Sequence, residues 1–186
     1  MIELLQESAM QKTRTTLFAL MIAIVAVGLV AQEQAKPSPP GTATFTFADG
    51  KSVTIDYSRP SMRGRKIFGG LVPYGQVWRT GANSATSLKT TANLTIGGAS
   101  IPAGSYTLYT LPSEKGWKII INKETGQWGT EYNEKDDLAR VEMKVSKNAS
   151  PTEQFTISFA QTNANGAVLK LDWADTTAKV DVAVKK

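Results

Sequence analysis

The chain contains no cysteine and no histidine. Without cysteine no disulfide can form, so the hydrophobic core alone must hold the fold. Ser-His-Asp and Cys-His nucleophiles are excluded, as are zinc and copper sites built on imidazole or thiolate. An oxygen-ligand calcium site, a carboxylate pair or a Ser-Lys arrangement survives. Long apolar runs are scarce too. Leu17 to Ala31, LFALMIAIVAVGLVA, is 15 residues long, short of the roughly 20 that cross a bilayer as a helix. Amphipathic helical patterning is not evident either.

The apolar run follows Lys12 and Arg14 and ends before Gln32, Glu33 and Gln34. A basic start, an apolar middle and a small residue at the exit make the pattern of a secretory signal peptide, residues 1–31, cleaved after Ala31. A retained, tilted anchor is the alternative. Glu3 and Glu7 sit awkwardly in a basic n-region, so Met10 is expected to be the true start. No membrane span is expected once the signal is removed. Residues 32–41, QEQAKPSPPG, read as a flexible linker. Residues 42–186 are expected to form one domain. The leader holds two charges of each sign, so the remainder keeps the net charge of +5. That mild, dispersed basicity suits work near an anionic envelope and gives no footprint for nucleic acid.

What is present is alternation. Thr42–Ala48 and Lys51–Tyr57 flank Asp49-Gly50, a dipeptide that favours a tight hairpin turn. Ser84–Thr91 and Ala92–Ile96 alternate more weakly, with Gly97-Gly98 as punctuation. Ser105–Leu111 and Trp117–Asn122 predict a second hairpin. Leu138–Val145, Thr152–Ala160, Ala167–Trp173 and Lys179–Val184 each place apolar residues on one face. Short strands in succession predict an all-β fold, an antiparallel β-sandwich of jelly-roll or immunoglobulin-like type.

The block Ser58–Thr86, SRPSMRGRKIFGGLVPYGQVWRTGANSAT, breaks that pattern. Arginines in a loop shaped by glycine and proline can present bidentate donors to a carboxylate, phosphate or sulfate. Arg59, Arg65 and Arg79 are the candidates to hold an acidic group, and Trp78 to stack on a sugar ring. Asn83 and Thr86 add neutral hydrogen-bonding groups, and Trp128, between Gly126 and Gly129, resembles the lining of a small cleft. The competing reading puts Trp78 in the core and pairs Arg79 with a structural carboxylate. Arg63, Arg65 and Lys66 then form a solvated basic loop. Glu131, Glu134, Asp136 and Asp137 form an acidic cluster whose spacing matches no EF-hand; a solvated loop is the expected reading, with no metal site.

The run GRKIFGGLVPYGQVWRTGAN, with AGSYTLYTLP and WKIIIN, resembles the bacterial domain-of-unknown-function family numbered 2911, from about Phe45 to about Val184. The resemblance implies an exported protein of a Gram-negative envelope and carries no activity or catalytic residue. Arg59, Pro60, Gly64, Arg65, Gly75, Trp78, Arg79, Thr80, Gly81 and Asn83 stand in the family-like block. The favoured function is an exported, periplasmic or secreted protein recognising an anionic or saccharide ligand, without a cofactor. The alternatives are a structural or partner-binding envelope protein, whose block forms a protein interface, and a hydrolase using carboxylates or a metal.

Overall fold

A computed structural model describes residues 38–185. The expected leader, the Met10 start, the cleavage after Ala31 and residues 32–37 of the expected linker lie outside the described residues. Nine strands follow: β1 (Pro40–Thr46), β2 (Ser52–Ser58), β3 (Thr86–Thr90), β4 (Leu94–Ile96), β5 (Ala99–Ile101), β6 (Gly104–Pro112), β7 (Trp117–Asn122), β8 (Asp137–Asn163) and β9 (Gly166–Val184). Among the described residues the helical content is one 3-10 turn, Glu134–Asp136, so no helix is long and apolar enough to cross a membrane. The fold is all-β and antiparallel, in the order β1-β2-β3-β6-β7-β8-β9-β4-β5.

This continuous sheet doubles back on itself because β8 changes partner. Residues up to Met143 pair with β7, and from Lys144 onward the strand pairs with β9. The second half of β8 thereby comes to face β1 and β2. Phe45 meets Phe159 at 6.1 Å between ring centroids, and Tyr57 meets Phe155 edge-on at 5.6 Å. The result is sandwich-like, with Ile55, Leu88, Leu108, Ile119, Leu169 and Leu171 buried between the layers. Alternation explains this. In each strand every second residue turns inward, and burying each large apolar side chain contributes about 1.5–3 kcal/mol.

The sequence predicts four C-terminal strands where two long ones form. Register slips between Lys147 and Thr152 on β8, while β9 advances only from Ala174 to Thr176. The surplus residues make an irregular bulge within the part of β8 that pairs with β9. Ala174, at φ 52, marks the bend on β9. The bulge is pinned by the Thr177 hydroxyl, whose single proton lies between the two acceptors Asn148 Oδ1 and Asp172 Oδ1. Val145, expected to face inward with Val141 and Met143, is exposed because the strand leaves the first layer there.

Two smaller differences concern turns. β1 begins at Pro40, so the last two residues expected as linker are strand. Gly41 leaves room there for the Arg59 side chain, since a Cβ would stand 2.6 Å from Arg59 Cδ and the arginine would have to shift. The Asp49-Gly50 hairpin has three loop residues rather than two: Phe47 N–H donates to Lys51 O, and Gly50 closes the loop at φ 80.

Candidate functional site

Residues 59–85 contain no strand, yet this segment is built into the core. Ile67, Phe68, Val72 and Trp78 are buried. Phe68 packs on Trp117 of β7 (4.6 Å) and on Trp173 of β9 (6.1 Å), so the block plugs the gap between the layers. Where β3 stops, Trp78 takes its place beside β6: Trp78 N–H donates to Thr110 O at 2.7 Å, and Thr110 N–H returns a bond to Trp78 O at 2.9 Å.

The next three residues form a tight knot. Thr80 is fully buried with φ 55, a conformation costly for a β-branched residue. Its hydroxyl lies 3.2 Å from Trp78 O and 3.1 Å from Thr110 Oγ1, with one proton to share between them. The Thr86 hydroxyl donates to Thr80 O (2.8 Å), and Trp78 Nε1 donates to Gly81 O (3.1 Å). Asn83 also has positive φ, 60, and its amide donates to Ser58 Oγ. Together with Arg63 (φ 50), three of the four non-glycine residues at positive φ among the described residues lie in this block. A strained backbone held by surrounding hydrogen bonds is a pattern found at binding sites.

The knot fixes Trp78 inward and Arg79 at a cleft. Trp78 is only 9% exposed and stacks on Trp173 at 5.7 Å and 19°. Trp78 is therefore a core tryptophan, one face covered by Trp173, rather than the open platform for a sugar ring that the sequence suggests. The alternative expected for Arg79, a structural carboxylate partner, is not met: among the described residues no acidic side chain lies within ion-pair distance of it. Its Nε is buried with no hydrogen-bond acceptor. Burial pushes the guanidinium pKa below its ordinary value, because removing water disfavours the charged form. Arg79 lines a cleft of about 280 Å³ with Arg63, Arg65, Leu71, Val72, Ser61 and the edges of Trp78 and Trp173, and no acidic side chain lines it.

The other expected site residues divide. Arg65 lines the cleft with its side chain folded back, Nε donating to Met62 O (2.9 Å) and Nη2 to Ser61 O (2.7 Å). Arg59 does not join them. Its Nε donates to Phe155 O and its Nη2 to Thr156 Oγ1, which ties β2 to β8. Thr86 is buried and occupied by Thr80. Trp128 is 54% exposed, on a segment laid over the outer face of β6 and β7. There Gln127 Nε2 donates to the Tyr109 hydroxyl, and that hydroxyl donates to Glu131 O. Its neighbour Gly129 presses on Arg79 and Asn83: a Cβ there would collide with Arg79 Cδ and stand 2.5 Å from Asn83 O. The wall residues Leu71 and Ser61 were not singled out by the sequence. Leu71 carried a signal, an apolar residue among glycines, and is 48% exposed.

Within the acidic segment, Asp137 is held in a local network while Glu131 and Glu134 are exposed. Asp137 accepts from Arg140 Nε (2.7 Å), from the Tyr132 hydroxyl (2.7 Å) and from Asn122 Nδ2 (2.9 Å), while Glu134 pairs with Arg140 (2.9 Å). Burial and the bond to Asp137 push the Tyr132 hydroxyl up to about 12.

Residues 38–182 match the family described as a protein of unknown function, DUF2911. The chain belongs to this family. The match takes in every strand from β1 and runs into β9, and it contains the whole Ser58–Thr86 block, the cleft arginines and the Trp128 segment. No curated protein and no solved structure matches the chain.

Proposed function

We propose that this member of DUF2911 is an exported envelope protein, periplasmic or secreted, that binds a small anionic or acidic saccharide ligand in the Arg79 cleft. One observation carries the reading: Arg79 is held at a cleft free of acidic side chains, with a buried Nε that has no acceptor. A buried donor without a partner costs about 1–3 kcal/mol, and an acidic ligand that draws the guanidinium into the cleft would give it one. Arg65 supplies a second positive charge, and Leu71 with the tryptophan edges supplies apolar wall, the mixture typical of ligand clefts. The basic leader pattern of residues 1–31 supports export.

The test is a thermal-shift screen of the full chain against sulfate, phosphate, citrate and galacturonate. A ligand at 100 times its dissociation constant is expected to stabilise by about 2.7 kcal/mol, or about 5–10 °C. The shift should vanish in Arg79→Met. Silence across the panel, or a shift that survives Arg79→Met, would refute the assignment.

A second reading, a protein interface, is favoured by the exposure of Leu71, Tyr74 and Trp128. It predicts a mass that rises with concentration in light scattering, and a loss of that rise in Trp128→Ser.

A further inference from the structure

A larger cleft, of about 640 Å³, adjoins the first through a shared residue, Arg65. Lys66, Lys115 and Lys147 also line it, from the block, the β6–β7 turn and the β8 bulge. Glu114 and Asp175 are the acidic side chains at its wall. Arg65, Lys66, Lys115 and Lys147 form no ion pair among the described residues. Three separate elements thus bring four cations to one concavity. Tyr74 adds an aromatic surface: its ring lies against Gly69, where a Cβ would stand 2.8 Å from Tyr74 Cε2, and the residue is 39% exposed.

We infer that the two clefts are successive subsites for one linear acidic polysaccharide, a chain of uronate-type sugars. This inference rests on the anionic-ligand reading of Arg79. Cations spread over neighbouring concavities fit a ligand with repeated carboxylates, because each added subsite binds at high effective concentration once the first is filled. A polyanion alone would need only the cations. The exposed tyrosine among them favours sugar rings, whose apolar faces pack on aromatic rings. Arg79 takes one carboxylate, Arg65 stands between the subsites, Tyr74 carries a ring, and Lys115 with Lys147 takes a later carboxylate.

Calorimetric titration of the full chain with galacturonate, linear hexagalacturonate and a six-unit polyphosphate tests this. The hexamer is expected to bind about tenfold tighter than the monomer or better. Lys115→Ala with Lys147→Ala should remove most of that advantage and leave the monomer unchanged. Tyr74→Ala should weaken the hexamer and not the polyphosphate. Equal affinity of hexamer and monomer, a double variant that keeps the advantage, or no binding of either sugar would overturn the inference. So would polyphosphate binding as tightly as the hexamer with no response to Tyr74→Ala, which would mark a bare polyanion site. Monomer binding lost in Arg79→Met with the lysine pair irrelevant would leave the Arg79 reading standing and this one refuted. Monomer binding indifferent to Arg79→Met would refute the reading beneath it.

Discussion

At the scale of single residues, two neighbours in one knot have unequal costs. Trp78 is held by Trp173, Phe155 and Phe68, whose ring centroids lie within 6.0 Å. Trp78→Ala is therefore expected to lose about 3–5 kcal/mol in urea unfolding. Arg79→Met should change the stability of the ligand-free chain by no more than about 0.5 kcal/mol, because it removes a partly desolvated charge that has no ion-pair partner among the described residues. A large loss in Arg79→Met would mean that the side chain has a structural partner. The residue types of this knot were legible in the sequence: an arginine and a tryptophan among glycines mark a shaped loop. Their orientation was not, because it depends on Trp173, distant in the chain, and on the hydroxyls of Thr80 and Thr110. The absence of an ion-pair partner for Arg79 among the described residues was equally invisible, since no spacing rule says which acids stay away. Tyr132 gives a separate residue-scale expectation. Its hydroxyl loses its proton near pH 10 in the unfolded chain and at about 12 when folded. The folded state thus holds that proton more tightly, so the contribution is intact below pH 10 and is lost as pH rises toward 12. Tyr106 and Tyr109 are raised in the same direction by burial. Denaturant unfolding between pH 9 and pH 11.5 should show stability falling, with a shallower fall in Tyr132→Phe.

At the scale of elements, the strands that pair locally follow the sequence most closely. β7 occupies Trp117–Asn122, the bounds its alternation predicts, because its hairpin with β6 depends on a nearby turn. β8 and β9 do not divide as the pattern suggests. Ser146–Pro151 lacks alternation, and only the partner strand shows that the break is a bulge rather than a loop. That bulge carries Lys147 to the larger cleft. The Trp128 segment matters through its backbone rather than through its tryptophan. Gly129→Ala is expected to cost about 1–3 kcal/mol, as overpacking does, and to weaken ligand binding by displacing Arg79 and Asn83. Calorimetry on this variant checks both halves. Unchanged affinity in a folded Gly129→Ala chain would show that the contact with Arg79 does not set the site's geometry.

At the scale of the whole molecule, one antiparallel sheet folded into two facing layers leaves a gap, and a strandless segment fills it with its apolar side chains while presenting its cations at clefts. Composition explains why the core must do this unaided, since no cysteine is available to staple the layers. It also explains why recognition, rather than nucleophilic chemistry on imidazole or thiol, is the function proposed. On the proposed function, the Arg79 guanidinium takes an acidic oxygen of the ligand. The most direct measurement is the Nε–Hε NMR signal of Arg79, followed during titration with galacturonate. That signal is expected to shift saturably, while the Nε–Hε signal of Arg59, already donated to Phe155 O, stays in place. An Arg79 signal that does not move at galacturonate concentrations that saturate binding would contradict the proposed function.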